Sequence, residues 1–213
     1  VDSDTLAYWK LDEGSGTIIY DKTSNHNDGS FVTGYQPEWV NGKSGTALDF
    51  DYSSPDYDYV LLPDKMGTDF GEDITEFTAE AWIKPSSTDT GYILQSRNPY
   101  FDILFSNGKL ACYLIADNSY TGWGDYTYGT TTLEAGLWYH IAVTYSSSAQ
   151  EIKIYLDGIL EATNSDIIPD SRLRLQTNSD YNRLGSYFSG TIDEVRLSTT
   201  LRSPSDFLHD YGI

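Results

Sequence analysis

An oxygen-rich loop near the start of the chain could bind a hard cation. It runs from Asp21 to Gly29 with the sequence DKTSNHNDG, in which carboxylate, amide and hydroxyl oxygens are closely spaced. Calcium takes roughly six to eight oxygen ligands from such side chains, from backbone carbonyls and from water. The spacing does not match an EF-hand loop, and Asx turns explain Asn and Asp in a loop equally well. From these residues alone, a calcium site and a turn are both open interpretations.

Aromatic residues next to polar side chains could bind carbohydrate. Rings stack on the apolar faces of sugars, while Arg, Asp and Asn hydrogen-bond to the hydroxyl groups. Segments 95–100, 120–128 and 180–187 have this composition. The candidate sugar-binding residues within them are Arg97, Asn98, Tyr120, Trp123, Tyr126, Tyr181, Arg183 and Tyr187. Each Arg is also explained as an ordinary surface partner of a carboxylate, and Trp123 equally as a loop anchor.

No set of residues in the sequence supports catalysis. Neither Gly-x-Ser-x-Gly nor His-Glu-x-x-His occurs. Glycoside hydrolysis needs two carboxylates on either side of the scissile bond, and no suitably spaced pair stands on a predicted strand. His140 lies in a strand-like apolar run and is interpreted as structural. Cys112, the single cysteine, is interpreted as a buried small hydrophobe. We therefore expect a protein that is not an enzyme.

The charge of the chain restricts its partners. Its 213 residues include 32 acidic and 13 basic ones, which gives a net charge of −19. Such a surface disfavours nucleic acids and anionic membranes, although net acidity by itself mainly supports solubility. No apolar run approaches the roughly 18 residues of a membrane-spanning helix, so we expect no membrane insertion. The first residues do not resemble a signal peptide.

The elements that must position these residues are short strands. Alternating or apolar runs recur between turn residues, which is typical of an all-β sandwich or barrel. Asn107-Gly108 and Asp157-Gly158 each separate two such runs and predict β-hairpins, because both dipeptides tolerate positive φ. Only the C-terminal residues predict a helix, with Ser203 as its cap, Pro204 at its first position and Phe207 on its packed face.

Six segments are recognisable in their order along the chain. They are WKLDEGSGT from Trp9 followed by Asp21 and NHNDG from Asn25, GTALDF from Gly45, FTAEAWIKP from Phe77, WYHIAVTY from Trp138, YLDG from Tyr155 and GTIDEVRL from Gly190. Together they resemble the laminin G-like jellyroll domains of the concanavalin A-like lectin/glucanase superfamily. The resemblance extends from about residue 6 to residue 207.

This resemblance implies a two-sheet antiparallel jellyroll sandwich that forms one domain over residues 1–213, with a short helical turn at its C-terminal end. It also implies a calcium ion that joins the N-terminal loop to the closing strand. By position, the ligands are Asp21, Asn25, Asn27 and Asp193. Position 28 is often His in the family and is Asp here.

The function that the resemblance implies is carbohydrate binding without catalysis. We expect a calcium-stabilised module that binds an oligosaccharide or polysaccharide and forms a monomeric part of a larger extracellular or cell-surface protein. An appendage of a polysaccharide-acting enzyme is the leading interpretation. A protein-interaction or adhesion module is the alternative, because the same fold serves both. A glycoside hydrolase or polysaccharide lyase is less favoured.

Overall fold

The computed structural model describes residues 2–53, 56–63, 75–97, 100–114, 125–165 and 182–211. These residues form two antiparallel sheets, a two-stranded hairpin and one helix, which we number in chain order.

The first sheet carries the closing strand near its centre. Its strands in spatial order are β16 (Ile159–Asn164), β15 (Glu151–Leu156), β14 (Tyr139–Ser146), β9 (Glu76–Pro85), β18 (Gly190–Ser198), β5 (Thr46–Phe50) and β4 (Glu38–Asn41). The first strand, β1 (Thr5–Trp9), also pairs with β18, so the first and last strands lie side by side.

The second sheet packs against the first. Its strands in spatial order are β13 (Asp125–Tyr128), β12 (Lys109–Leu114), β11 (Tyr100–Ser106), β10 (Gly91–Arg97), β17 (Arg183–Leu184), β8 (Val60–Leu61), β3 (Gly29–Phe31) and β2 (Ile18–Ile19). β6 (Tyr52–Ser53) and β7 (Asp56–Tyr57) pair with each other in a small hairpin that belongs to neither sheet. The two-sheet antiparallel sandwich confirms the predicted fold class.

The core lies between the sheets because successive side chains of a strand point to opposite faces. Ile141, Val143 and Tyr145 of β14 point into the core from the first sheet. Ile103 of β11 and Cys112 of β12 point into it from the second sheet. Cys112 is fully buried, as predicted, and burial raises the pKa of its thiol far above the usual range. It is therefore a small apolar core residue and not a nucleophile.

Both predicted hairpins are present. Asn107 and Gly108 connect β11 to β12 with φ of 51° and 76°. Asp157 and Gly158 connect β15 to β16 with φ of 48° and 77°. Positive φ at both central residues is the requirement of a type I′ turn, which explains why these dipeptides stand here.

The predicted C-terminal helix is also present, as α1 (Pro204–Tyr211). The Ser203 hydroxyl donates a hydrogen bond to the Asp206 carboxylate at 2.7 Å, and the Ser203 N–H donates to the same oxygen. Phe207 is fully buried against His140 of β14 and Tyr155 of β15. The helix therefore covers the outer face of the first sheet. Within the described ranges, no helix has the length and apolar character needed to cross a membrane.

Candidate functional site

The outer face of the second sheet, which points away from the core, gathers polar and aromatic side chains. Leu94, Ile103 and Cys112 face the core, so Gln95, Asp102 and Tyr113, which follow or precede them, face outward. The register shift between Tyr92 and Leu94 places Ile93 in the core as well. Strand register aligns these outward residues in two rows. One row is Tyr126, Tyr113, Asp102, Gln95 and Arg183, and the other is Tyr128, Ala111, Leu104 and Tyr92.

Three tyrosines lie together at the β12–β13 end of this face. The rings of Tyr113 and Tyr126 have centroids 4.6 Å apart, and those of Tyr126 and Tyr128 are stacked at 5.7 Å. Tyr126 and Tyr128 are each 50% exposed. Partial burial raises the pKa of the Tyr126 phenol, and nearby groups raise it further. Those groups are Tyr92, Tyr113, Tyr128 and Asp102.

A second group of tyrosines lies around β17. Tyr187 stacks on Tyr57 with centroids 3.9 Å apart, and the Tyr52 ring meets Tyr187 edge-on at 5.5 Å. The hydrogen bond with Tyr57, together with burial, raises the pKa of Tyr187 to about 12, so its hydroxyl stays protonated at neutral pH. The Arg183 guanidinium lies 4.4 Å from the centroid of the Tyr59 ring.

Tyr92 of β10 joins the two groups. Its ring meets Tyr187 edge-on at 6.4 Å, and it is near enough to Tyr126 to raise the pKa of that phenol. We call the resulting set the tyrosine strip, which comprises Tyr128, Tyr126, Tyr113, Tyr92, Tyr187, Tyr57 and Tyr52.

Polar groups lie beside the tyrosine strip. Gln95 and Asp102 are 6% and 4% exposed although they belong to the outer face. Their amide and carboxylate stand beside rings that carry hydroxyl groups, and Arg183 adds a cationic donor. The face therefore combines apolar ring surfaces with both hydrogen-bond donors and hydrogen-bond acceptors.

The structure brings three of the predicted sugar-binding residues onto this one face. They are Tyr126, Arg183 and Tyr187. Arg97 ends β10, but its side chain lies outside the described part of the chain, as do Asn98, Tyr120, Trp123 and Tyr181. All eight sugar-binding assignments stay predictions, and for those five the position of the side chain is not described either.

Sequence reasoning missed several residues of the face. Asp102 and Tyr113 lie in otherwise apolar stretches and are each flanked by core residues, so period-two alternation was the available signal for them. Gln95 begins the polar end of β10 and lies in segment 95–100, but it is not among the candidate residues of that segment. Their assembly into one face depends on the order and register of four strands, which no local motif encodes.

The N-terminal loop is held together by one carboxylate. Asp21 Oδ1 accepts hydrogen bonds from the N–H groups of Tyr8 and Thr23, both at 2.9 Å. Asp21 Oδ2 accepts from the Thr23 hydroxyl at 2.7 Å and from the Asn27 N–H at 2.9 Å. A carboxylate has about four acceptor positions, so protein donors occupy all of them.

Two of the other predicted ligands belong to the same loop. The side-chain amides of Asn25 and Asn27 donate to the Leu6 carbonyl at 2.9 and 3.2 Å. The Asn27 carbonyl accepts from the Trp9 indole at 2.7 Å, which ties the loop to β1. Asn27 Oδ1 is buried and has no hydrogen-bond partner among the described residues.

Asp193, the fourth predicted ligand, lies in a different environment. Its Oδ2 accepts from the N–H groups of Lys43 and Ser44, in the turn between β4 and β5, at 2.8 and 3.0 Å. Its Oδ1 accepts from the Glu194 N–H at 2.8 Å. Burial raises the pKa of Asp193 to about 7, although the three N–H donors oppose this shift.

Asp21 and Asp193 share no hydrogen-bond donor. Asp21 accepts from β1 and its own loop, whereas Asp193 accepts from the β4–β5 turn and from its neighbour in β18. Among the described residues, no three His, Cys, Asp or Glu side chains are grouped so that they could hold a metal ion. Calcium binding stays a prediction from the resemblance, and the loop is closed by hydrogen bonds in this structure.

Comparison with known proteins places the fold in a family. The family model of the concanavalin A-like lectin/glucanases superfamily, of laminin G type, matches residues 54–206. The chain therefore belongs to this superfamily. A Rattus norvegicus protein, sushi, von Willebrand factor type A, EGF and pentraxin domain-containing protein 1, is 29% identical over 130 residues. This match covers 58% of the chain but only 3% of that protein.

Solved structures of binding domains share the fold. Domain 4 of AbnA, a GH43 extracellular arabinanase from Geobacillus stearothermophilus solved with arabinotriose, has a TM-score of 0.66 and 18% identity, with 97% of each chain covered. The binding domain of botulinum neurotoxin DC, solved with rat synaptotagmin II, has a TM-score of 0.70 and 9% identity. That match covers 98% of this chain and 51% of the toxin domain. At these identities the likeness concerns the fold.

Proposed function

We propose that this protein is a non-catalytic carbohydrate-binding module whose binding surface is the outer face of the second sheet. The observation that carries the proposal is the tyrosine strip beside Gln95, Asp102 and Arg183. Rings there offer apolar surface to a sugar, and the neighbouring amide, carboxylate and guanidinium offer hydrogen bonds to its hydroxyl groups.

The comparisons support the same proposal. The arabinanase domain, which the chain matches over nearly its full length, was solved with a bound trisaccharide. An appendage of an extracellular polysaccharide-acting protein is the corresponding biological setting, because such a module keeps an enzyme close to its insoluble or dilute substrate.

Binding to a polysaccharide panel tests this proposal. We expect the protein to be retarded in native gels that contain at least one of arabinan, xylan, mixed-linkage β-glucan, hyaluronan or heparin. Tyr126→Ala should reduce the retardation, because it removes an exposed ring from the face. Tyr20→Ala is the matched control, since Tyr20 is 49% exposed and follows β2 at the opposite edge of the sheet. Equal losses in the two variants would contradict the assignment of the face.

A specific observation favours protein adhesion as the second candidate. Among the described strands β16 lies at the edge of the first sheet, and its Ile159 and Leu160 side chains are 68% and 50% exposed. Exposed apolar groups on an unpaired strand edge suit the addition of a partner strand. This candidate predicts that Ile159→Lys abolishes binding to a protein partner and leaves polysaccharide retardation unchanged.

A further inference from the structure

We propose that the tyrosine strip binds an extended stretch of several sugar residues running across the strands, and not a single terminal sugar. This inference rests on the carbohydrate binding proposed above and specifies the form of the ligand. It follows from the length and continuity of the strip.

The strip is longer than one sugar. It begins on β13 with Tyr126 and Tyr128 and ends around β17 with Tyr187 and Tyr52. Four strand spacings separate β13 from β17, which at about 4.8 Å each gives about 19 Å. A single pyranose or furanose ring cannot contact rings at both ends.

The strip is also continuous. Tyr92 lies between the two tyrosine groups, because its ring meets Tyr187 edge-on at 6.4 Å and strand register places it in the same outward row as Tyr128. Across the same interval, Gln95 and Asp102 provide an amide and a carboxylate on adjacent strands. A sugar chain that crosses the strands therefore meets exposed rings at both ends, Tyr126 and Tyr128 at one and Tyr52 at the other. Between these ends it meets Tyr92 and the largely buried Gln95 and Asp102. A site for one terminal sugar would need such groups at one end only.

The two ends of the strip differ in character. The β13 end offers exposed stacked rings, whereas the β17 end adds the Arg183 guanidinium held against Tyr59. Each end can hold a different part of the sugar chain. Variants at the two ends should therefore affect ligands of different length in different ways.

The test uses oligosaccharides of one to six residues prepared from whichever polysaccharide of the panel retards the protein, measured by isothermal titration calorimetry. We expect the affinity to rise at least tenfold from the monosaccharide to the hexasaccharide. Tyr126→Ala and Tyr52→Ala, at opposite ends, should each weaken hexasaccharide binding about threefold to tenfold. Only one of the two variants should weaken disaccharide binding. Tyr20→Ala is again the control, and thermal melts confirm that each variant is folded.

Two results would overturn the inference while leaving the proposed function in place. One is a monosaccharide that binds as tightly as the hexasaccharide, and the other is a hexasaccharide whose affinity changes with only one of the two end variants. Absence of binding to every polysaccharide in the panel would instead remove the proposed function, and the inference with it.

Discussion

Asp21→Asn tests how the N-terminal loop is held. The Asn side-chain amide has one oxygen, so its Nδ2 must take the place of one of the two carboxylate oxygens of Asp21. The least costly orientation puts Nδ2 beside the Thr23 hydroxyl, because that hydroxyl can turn and accept a hydrogen bond. The Asn27 N–H, which now donates to Asp21 at 2.9 Å, then loses its acceptor. Asn27 is fully buried, so water does not replace the lost oxygen.

The magnitude follows from these contacts. A buried N–H without an acceptor costs about 1–3 kcal/mol, and the remaining bonds weaken because a charged acceptor becomes neutral. We expect the free energy of unfolding to fall by about 2–4 kcal/mol. Urea denaturation followed by tryptophan fluorescence measures it. Asp89→Asn, at an exposed position in a bend, is the control and should change stability by less than about 0.5 kcal/mol.

The same measurement separates hydrogen bonding from metal binding. Because protein donors occupy the Asp21 carboxylate, the loss should be equal in excess calcium and in excess EDTA. A loss below about 0.5 kcal/mol in EDTA would refute the hydrogen-bond account. A loss present only in calcium, with a wild-type melting temperature that EDTA lowers, would instead make Asp21 the calcium ligand that the sequence predicts.

Three further predictions concern stability. Phe207→Ala should lower the free energy of unfolding by about 3–5 kcal/mol in urea, because its buried ring fastens α1 to the first sheet, whereas Leu201→Ala, at an exposed position, should change it little. Gly185→Ala should cost about 2 kcal/mol or more in the same assay, because φ is 82° and a Cβ would lie 2.2 Å from the Phe50 ring. Burial raises the pKa of Asp193 from 3.8, its ordinary value, to about 7 in the folded protein. Between about pH 4 and 7 the folded protein therefore binds a proton at Asp193 that the unfolded chain has released, so the free energy of unfolding should fall as pH rises through this range. Asp193→Asn should make that decline shallower in urea titrations across this range, and an unchanged slope would contradict it.

The fold was predictable because its signals are local or ordered. The dipeptides Asn107-Gly108 and Asp157-Gly158 determine their turns through positive φ, and Ser203 with Asp206 begins the helix where expected. The six family segments then fix the order of the strands. These features need no knowledge of which strands become neighbours.

The candidate site was only partly predictable because it is made by register. Tyr126, Arg183 and Tyr187 were named from their own segments, but Asp102 and Gln95 become their neighbours only when β10 to β13 and β17 align. Asp21 and Asp193 were predicted as calcium ligands from the family resemblance, and that assignment stays a prediction. In the structure Asp21 accepts a hydrogen bond from the Tyr8 N–H and Asp193 accepts one from the Lys43 N–H, contacts that the sequence alone does not reveal.

Chemical-shift mapping of the isotope-labelled protein with the bound oligosaccharide tests the central claim most directly. We predict that the perturbed backbone amides belong to β10, β11, β12, β13 and β17, to the β6–β7 hairpin and to Tyr187, with the largest shifts near Tyr92 and Tyr126. Perturbations confined to β14, β15 and β16, or to the N-terminal loop around Asp21, would contradict the claim that the outer face of the second sheet binds carbohydrate.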